Sequence, residues 1–180
     1  RRVLFRSQTA PAAVPAVPPA APASSPQPAP AARTPVDEPA KVRDGVLYFI
    51  KLSADGGILP APVTRRMPAG QAPLSETIEA LLAGPTPEET REGILSLIPP
   101  GTALQSASAK DGTASLSFNE NLRFNSFGIE GFRGQVRQIV FTATEFPTVR
   151  NVQILIDGGK VDFLSPEGLY IGKPLGRESF

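Results

Sequence analysis

The chain has 180 residues, of which 21 are proline and 41% are hydrophobic, and its formal net charge is +1 at pH 7. It contains no cysteine and no histidine, which excludes disulfides, thiolate nucleophiles, Ser/His triads and the common zinc and copper sites. So small a charge provides no basic patch for nucleic acid, and we expect no nucleic-acid partner, no metal and no cofactor.

The first 40 residues differ in composition from the rest of the chain. Between residues 10 and 40, 21 of 31 residues are Pro or Ala. Such a segment lacks the apolar side chains that offset the entropy of ordering, and its prolines block helix and sheet. We therefore predict a disordered tether over residues 1–40 and a folded domain over residues 41–180. No run of 18 apolar residues occurs, so we expect a membrane anchor only upstream of this tether.

The first half of the folded part predicts two strands and two helices. The apolar run 46–52 predicts a strand, and residues 62–67, flanked by prolines, predict a short edge strand. Leucine and isoleucine recur at helical spacing over residues 73–83, and Gly84-Pro85 ends that helix. Residues 86–89, Thr-Pro-Glu-Glu, form the pattern of a capping box and predict a short second helix.

The second half predicts a hairpin, a long helix and a second hairpin. Asp111-Gly112 is a strong hairpin signal, and in the arm after it buried and solvent-facing residues should alternate. Apolar residues follow the 3,4 pattern of a helix over residues 128–146. Residues 152–156 then alternate, and residues 161–164 are predicted to return as the other hairpin arm. The order indicates an α+β two-layer sandwich, with two helices on one face of a mixed, mostly antiparallel sheet.

Six stretches carry a family pattern. They are Leu47-Tyr48-Phe49, Val63-Thr64-Arg65-Arg66, residues 80–89, Ile98-Pro99-Pro100-Gly101-Thr102, residues 143–147 and residues 152–158. With these stretches the chain resembles the GerMN domain, the sporulation and germination domain of bacterial GerM proteins, over residues 45–177. The resemblance implies an extracytoplasmic domain tethered to the cytoplasmic membrane, as a lipoprotein or single-span protein. It also implies the ring-building fold of secretion-system and sporulation-channel proteins, which assembles side by side.

Six side chains are candidate contacts with a partner protein. They are Arg65, Arg66, Phe124, Phe127, Arg133 and Arg137. The first two arginines lie at a strand end, where the alternative is a solvated edge or an ion pair with Glu76 or Glu79. The two phenylalanines lie in the loop before the long helix. Core packing is the favoured interpretation of each, and an exposed aromatic, which is a typical interface hot spot, is the functional alternative. The last two lie on the face of that helix opposite its apolar residues.

Three functions fit these features. The first is a non-catalytic interaction or assembly domain whose partners are copies of itself or other envelope proteins. The second is a cell-wall module that binds peptidoglycan glycan or peptide in a groove lined by Tyr48, Tyr170 or the loop phenylalanines. The third is a hydrolase that uses a carboxylate pair. We expect the first, and we predict no catalytic residues.

Overall fold

The computed structural model describes residues 42–165 and 169–180, and the predicted tether lies outside these residues. The described elements are β1 (Val42–Leu52), β2 (Ile58–Pro68), α1 (Pro73–Leu82), α2 (Pro87–Arg91), β3 (Ile94–Leu95), β4 (Leu104–Lys110), β5 (Thr113–Phe118), α3 (Gly128–Ala143) and β6 (Asn151–Ile156), with 3-10 turns at Glu120–Arg123 and Arg177–Ser179. The predicted α+β class is confirmed. The strands, however, divide between two three-stranded sheets.

The first sheet has the order β2-β1-β3 and is antiparallel throughout. β1 and β2 pair over their whole length, from Val42 opposite Pro68 to Leu52 opposite Ile58. β2 is therefore longer than its proline-rich sequence predicted. Its prolines fit an edge strand, because a missing N–H costs nothing on a side where no further strand pairs. β2 is such a strand, since β1 is its only described neighbour.

The second sheet has the order β4-β5-β6. β4 and β5 form the predicted antiparallel hairpin, and its turn residues Asp111 and Gly112 have φ of 51° and 78°, as a tight two-residue turn requires. β5 and β6 are parallel, with Thr113 opposite Asn151. This direction follows from the connection, since a crossover through α3 returns the chain to the same end of the sheet.

β5 shows where the predicted alternation holds and where it fails. Ala114, Leu116 and Phe118 are fully buried, as expected. Ser117, predicted to face water, is buried as well. Its hydroxyl donates to Oε1 of Gln105 at 3.1 Å and accepts from the N–H of Gly158 at 2.8 Å, so the neighbouring chain covers it.

The predicted return arm over residues 161–164 is wrong. Ile156 and Gly159 exchange backbone hydrogen bonds of 2.9 and 2.8 Å, which closes the turn, but the pairing does not continue. Instead, Val152 of β6 exchanges two hydrogen bonds of 2.8 Å with Leu175. The alternation of apolar and polar residues indicates that a segment can form a strand, but it does not determine which segment pairs with the edge of β6.

The helices enclose one core. α1 and α3 contact each other and both contact β1, while α1 also contacts β4 and α3 contacts β6. Fully buried side chains from β1, α1, β5, α3 and β6 form the core, among them Leu47, Phe49, Ile78, Leu81, Leu116, Phe118, Ile139 and Ile154. Within residues 42–165 and 169–180, no helix is long and apolar enough to cross a membrane.

A side chain of α3 satisfies the edge of β1. β3 pairs only with Ile50 and Lys51, and two residues before this pairing the N–H of Tyr48 donates to Oγ1 of Thr142 at 2.9 Å. This bond replaces a strand-to-strand hydrogen bond and fixes α3 against β1. The rest of α3, which carries Arg133 and Arg137, is thereby positioned.

Candidate functional site

The Phe loop, residues 124–127, presents two aromatic side chains to solvent. Phe124 is 69% exposed and Phe127 is 68% exposed. Core packing, the favoured interpretation from the sequence, is therefore wrong for both, whereas the neighbouring Phe118 and Phe132 lie in the core. Two large exposed apolar side chains only three residues apart are unusual for a solvated loop and are typical of a contact surface.

A buried polar network holds the Phe loop in place. Nδ2 of Asn125 donates to the carbonyl of Leu97 at 2.9 Å and to Oε1 of Gln135 at 2.6 Å. Gln135 is fully buried on α3 and donates to the carbonyl of Leu122 at 2.6 Å. Oδ1 of Asn125 accepts the N–H of Phe127 at 2.8 Å. Both phenylalanines are therefore exposed on a loop that is anchored, since its central polar side chain is bonded on both atoms.

The loop packs closely against the first turn of α3. A Cβ on Gly131 would lie 2.6 Å from Cβ of Phe127 and 2.5 Å from Oδ1 of Asn125. No side chain fits at that distance, so the glycine is required for the close approach.

Arg133 and Arg137 line one open cavity of about 490 Å³, here called the arginine cleft. The cleft is also lined by residues 56–58, Glu130, Gly134, Leu169, Ser179 and Phe180. Arg133 is exposed and lies 3.7 Å from Glu130, and the guanidinium of Arg137 lies 5.1 Å from the ring centroid of Phe141. The structure thus brings the two predicted helix arginines together, and neither Arg65 nor Arg66 lines this cavity.

Arg65 and Arg66 have different environments. Arg66 is exposed, whereas Arg65 forms an ion pair with Glu89 in which the side chains are only 19% and 14% exposed. Arg65 also lies 5.2 Å from the ring centroid of Phe49. The alternative pairing with Glu76 or Glu79 is wrong: Glu76 pairs with Arg43 at 3.5 Å. Arg65 therefore stabilises the domain internally, and its role as a partner contact stays a prediction.

Sequence reasoning missed a cluster around Glu145. Glu145 accepts from the hydroxyl of Tyr48 at 2.8 Å and forms an ion pair with Arg177, whose guanidinium lies 5.2 Å from the Tyr48 ring centroid. The hydrogen bond from Arg177 lowers the pKa of Glu145, while burial and then the bond to Glu145 raise the pKa of Tyr48. These residues are too far apart in sequence for any local pattern to connect them. Tyr48 is engaged on both its hydroxyl and its ring.

Acidic residues do not converge on a cation site. Within the described parts of the chain, no three Asp or Glu side chains are grouped so that they could hold a metal ion. Glu88 and Glu89 instead lie in the first turn of α2, where negative charge complements the helix dipole.

Sequence comparison identifies the family. The model of the Germane family, described as sporulation and spore germination, matches residues 46–162. The chain belongs to the Germane family. No curated protein matches the Germane chain at a significant level.

Solved structures share the Germane fold. The tandem GerMN domains of the sporulation protein GerM from Bacillus subtilis match with a TM-score of 0.64 and 24% identity, over 83% of this chain and 50% of that one. The first GerMN domain of the same protein matches with a TM-score of 0.62 and 23% identity, over 76% and 98%. A putative lipoprotein from Clostridium perfringens matches with a TM-score of 0.54 and 23% identity, over 76% and 89%. This chain thus spans about half of the tandem structure.

Residues 80–89, one of the six stretches that carry the family pattern, stabilise the architecture of the Germane domain. Gly84 has a φ of 83° and follows the end of α1, and Thr86 forms the predicted capping box with Glu89. The carbonyls of Ala80 and Gly84 accept hydrogen bonds from Arg65 at 3.4 and 3.0 Å. The block therefore connects α1, α2 and β2, and its hydrogen bonds are used within the domain.

Proposed function

We propose that this Germane domain is a non-catalytic interaction and assembly module of the bacterial cell envelope, and that its Phe loop contacts a second copy of the domain. One observation carries the proposal: Asn125 and Gln135 hold a loop whose two phenylalanines are each more than two-thirds exposed. Anchored aromatics lose little conformational freedom on binding, and aromatics are enriched among interface hot spots.

The family supports a second copy as the partner. The GerM structure contains two such domains in tandem, so this fold occurs beside another copy of itself. Arg133 lies on α3 two residues after Gly131, against which the Phe loop packs, and supplies a polar group of the kind found at an interface rim.

An envelope location is proposed on two grounds. One relative of the same fold is a putative lipoprotein. The Pro/Ala-rich composition of residues 10–40 is that of a semi-rigid spacer, which would hold the domain away from an anchoring membrane on the extracytoplasmic side.

The acidic groups favour a role without catalysis. A carboxylate-pair hydrolase needs one carboxylic acid whose pKa is raised. The hydrogen bond from Arg65 lowers the pKa of Glu89, and the hydrogen bond from Arg177 lowers that of Glu145. Both carboxylates are thus held ionised by an arginine.

The absence of cysteine from the sequence allows a direct test. A Ser126→Cys variant places a single thiol in the exposed Phe loop, and Ser108→Cys places one on exposed β4 as the control. We expect a short bismaleimide to cross-link two Ser126→Cys chains at micromolar concentration, and to cross-link Ser108→Cys far less. Equal cross-linking of both variants, or none of either, would contradict a contact through the Phe loop.

A second candidate function rests on a different aromatic pair. Phe163 and Tyr170 are 52% and 45% exposed, and their ring centroids lie 5.6 Å apart. Exposed aromatic rings of this kind suit the apolar face of a sugar. A cell-wall glycan would therefore bind at Phe163 and Tyr170 and not at Tyr48, whose ring and hydroxyl are already engaged within the domain. Co-sedimentation with purified peptidoglycan tests it: a glycan-binding domain would sediment and a Tyr170→Ser variant would not.

A further inference from the structure

Arg137 differs from the other half-buried arginines of the described chain. The other two are Arg43 and Arg65. Arg43 pairs with Glu76 at 3.5 Å, and Arg65 pairs with Glu89. Among the described residues, Arg137 alone of the three has no carboxylate within salt-bridge distance. Its buried Nε, like that of Arg43, has no hydrogen-bond partner.

An arginine in this state lacks compensation for the water it has lost. Burying part of a guanidinium costs free energy unless an anion or acceptors replace that water. Phe141, whose ring centroid lies 5.1 Å from the guanidinium, supplies a cation–π contact, which orients the group but offers no acceptor to its N–H donors. An anion arriving from outside would therefore gain a hydrogen-bonding partner that has already been partly desolvated.

The surroundings of Arg137 form a site of suitable size. The arginine cleft has a volume of about 490 Å³, within the range of small-ligand pockets. Arg133 lines it as a second cation, and Glu130 is the one acidic side chain among its described lining residues. The pair between Arg133 and Glu130 is 3.7 Å long, with both side chains more than 60% exposed, so it holds Arg133 only weakly.

We propose that the arginine cleft binds a carboxylate carried on a short apolar body, such as the C-terminal end of a peptide. Arg137 donates to the carboxylate with its planar fork, and Arg133 contributes the second positive charge. Ile58, Leu169 and Phe180 provide apolar lining for the rest of the ligand. The inference rests on Arg137 and stands independently of the contact proposed for the Phe loop.

The charges of the cleft favour a carboxylate over a phosphate. A carboxylate monoanion brings a single negative charge to a lining that holds two arginines and the carboxylate of Glu130. A phosphate dianion would bring more negative charge close to Glu130 and would meet repulsion from it.

The test is a titration of the 15N-labelled full chain followed by NMR. The probes are acetyl-Leu-Ala with a free carboxylate, the same dipeptide as its C-terminal amide, and inorganic phosphate. We expect the acid to shift the amide signals of Gly56, Gly57 and Gly134, and to bind about tenfold tighter than the amide or phosphate, as the loss of one charge-assisted pair implies.

Matched variants locate the binding. Arg137→Gln should weaken binding of the free-acid dipeptide by about tenfold or more. Arg66→Gln, which removes one positive charge from an exposed position of β2, should leave that affinity unchanged. If Arg137→Gln fails to fold, Arg133→Gln is the second variant, and it should weaken binding to a smaller extent. Equal binding of acid and amide, tighter binding of phosphate, or shifts confined to residues outside the cleft would each overturn the proposal.

Discussion

Nδ2 of Asn125 donates a 2.6 Å hydrogen bond to Oε1 of Gln135, an α3 side chain with no exposed surface. A loop that carries two exposed phenylalanines is thus anchored from inside the domain. A loop without such hydrogen bonds could fold its aromatic side chains against the domain, whereas this one is held with both of them in solvent. The pair therefore connects the packing of α3 to the display of an apolar surface.

Removing the anchor should free the Phe loop. We expect Asn125→Ala to lower the free energy of unfolding by about 1–3 kcal/mol, because Gln135 loses a partner inside the domain. Amide hydrogen exchange at residues 124–127 should rise, since the loop then opens without global unfolding. Asn121→Ala, which removes an exposed side-chain bond of 2.7 Å to the carbonyl of Gly101, is the control. Unchanged exchange in Asn125→Ala would show that the network does not hold the loop.

Gly131 should be harder to replace than Gly134, the next glycine of α3. Gly131→Ala places a methyl 2.6 Å from Cβ of Phe127, an atom that cannot move without the backbone. Gly134→Ala meets only the end of the flexible Leu97 side chain, at 2.2 Å from its Cδ1. Chemical denaturation should therefore find Gly131→Ala less stable than Gly134→Ala by about 1 kcal/mol or more. The reverse order would contradict the close packing of the loop.

The ion pair between Arg65 and Glu89 should stabilise the domain in a pH-dependent way. Arg65→Met should lower the free energy of unfolding at pH 7 by about 2–3 kcal/mol, because it leaves a mostly buried carboxylate unpaired. The hydrogen bond from Arg65 lowers the pKa of Glu89 below its ordinary 4.5 in the folded state. The stabilisation is thus complete above that value and disappears as the pH falls through the lower folded pKa.

Urea unfolding at pH 7 and at about pH 3 measures this effect. The control is Arg91→Met, which breaks an exposed pair with Glu88 of 3.8 Å and should cost less than about 0.5 kcal/mol. The difference between wild type and Arg65→Met should shrink at the lower pH. An Arg65→Met variant as stable as Arg91→Met would refute the internal role of Arg65.

Tyr48 should titrate above the ordinary phenol value of 10.0, because burial and its bond to Glu145 raise its pKa. In a Tyr170→Phe background Tyr48 is the only tyrosine left, so the ultraviolet absorbance of the phenolate reports it alone. Glu145→Gln should lower that pKa, since it removes the negative charge and leaves only a neutral amide oxygen to accept the bond. A titration unaffected by Glu145→Gln would mean that the cluster does not form.

Local signals account for most of the fold that the sequence predicted. Asp111-Gly112 gives the hairpin turn and residues 86–89 give the capping box, because each needs only neighbouring residues. At the edge of β6, Val152 pairs with Leu175 and not with residues 161–164. Which segment pairs there depends on contacts between distant parts of the chain, and no local pattern reports them. The same reason explains the candidate site: Phe124 and Phe127 were recognisable as loop aromatics, but the anchoring by Gln135 was not.

The mass of the full chain in solution, measured by light scattering from micromolar to near-millimolar concentration, tests the central claim most directly. We predict that the mass rises with concentration, and that Phe124→Ser together with Phe127→Ser abolishes the rise. Leu59→Ser, which removes an apolar side chain 53% exposed on β2, should leave it intact. A strict monomer over the whole range, or an assembly that the double variant does not weaken, would contradict self-association through the Phe loop.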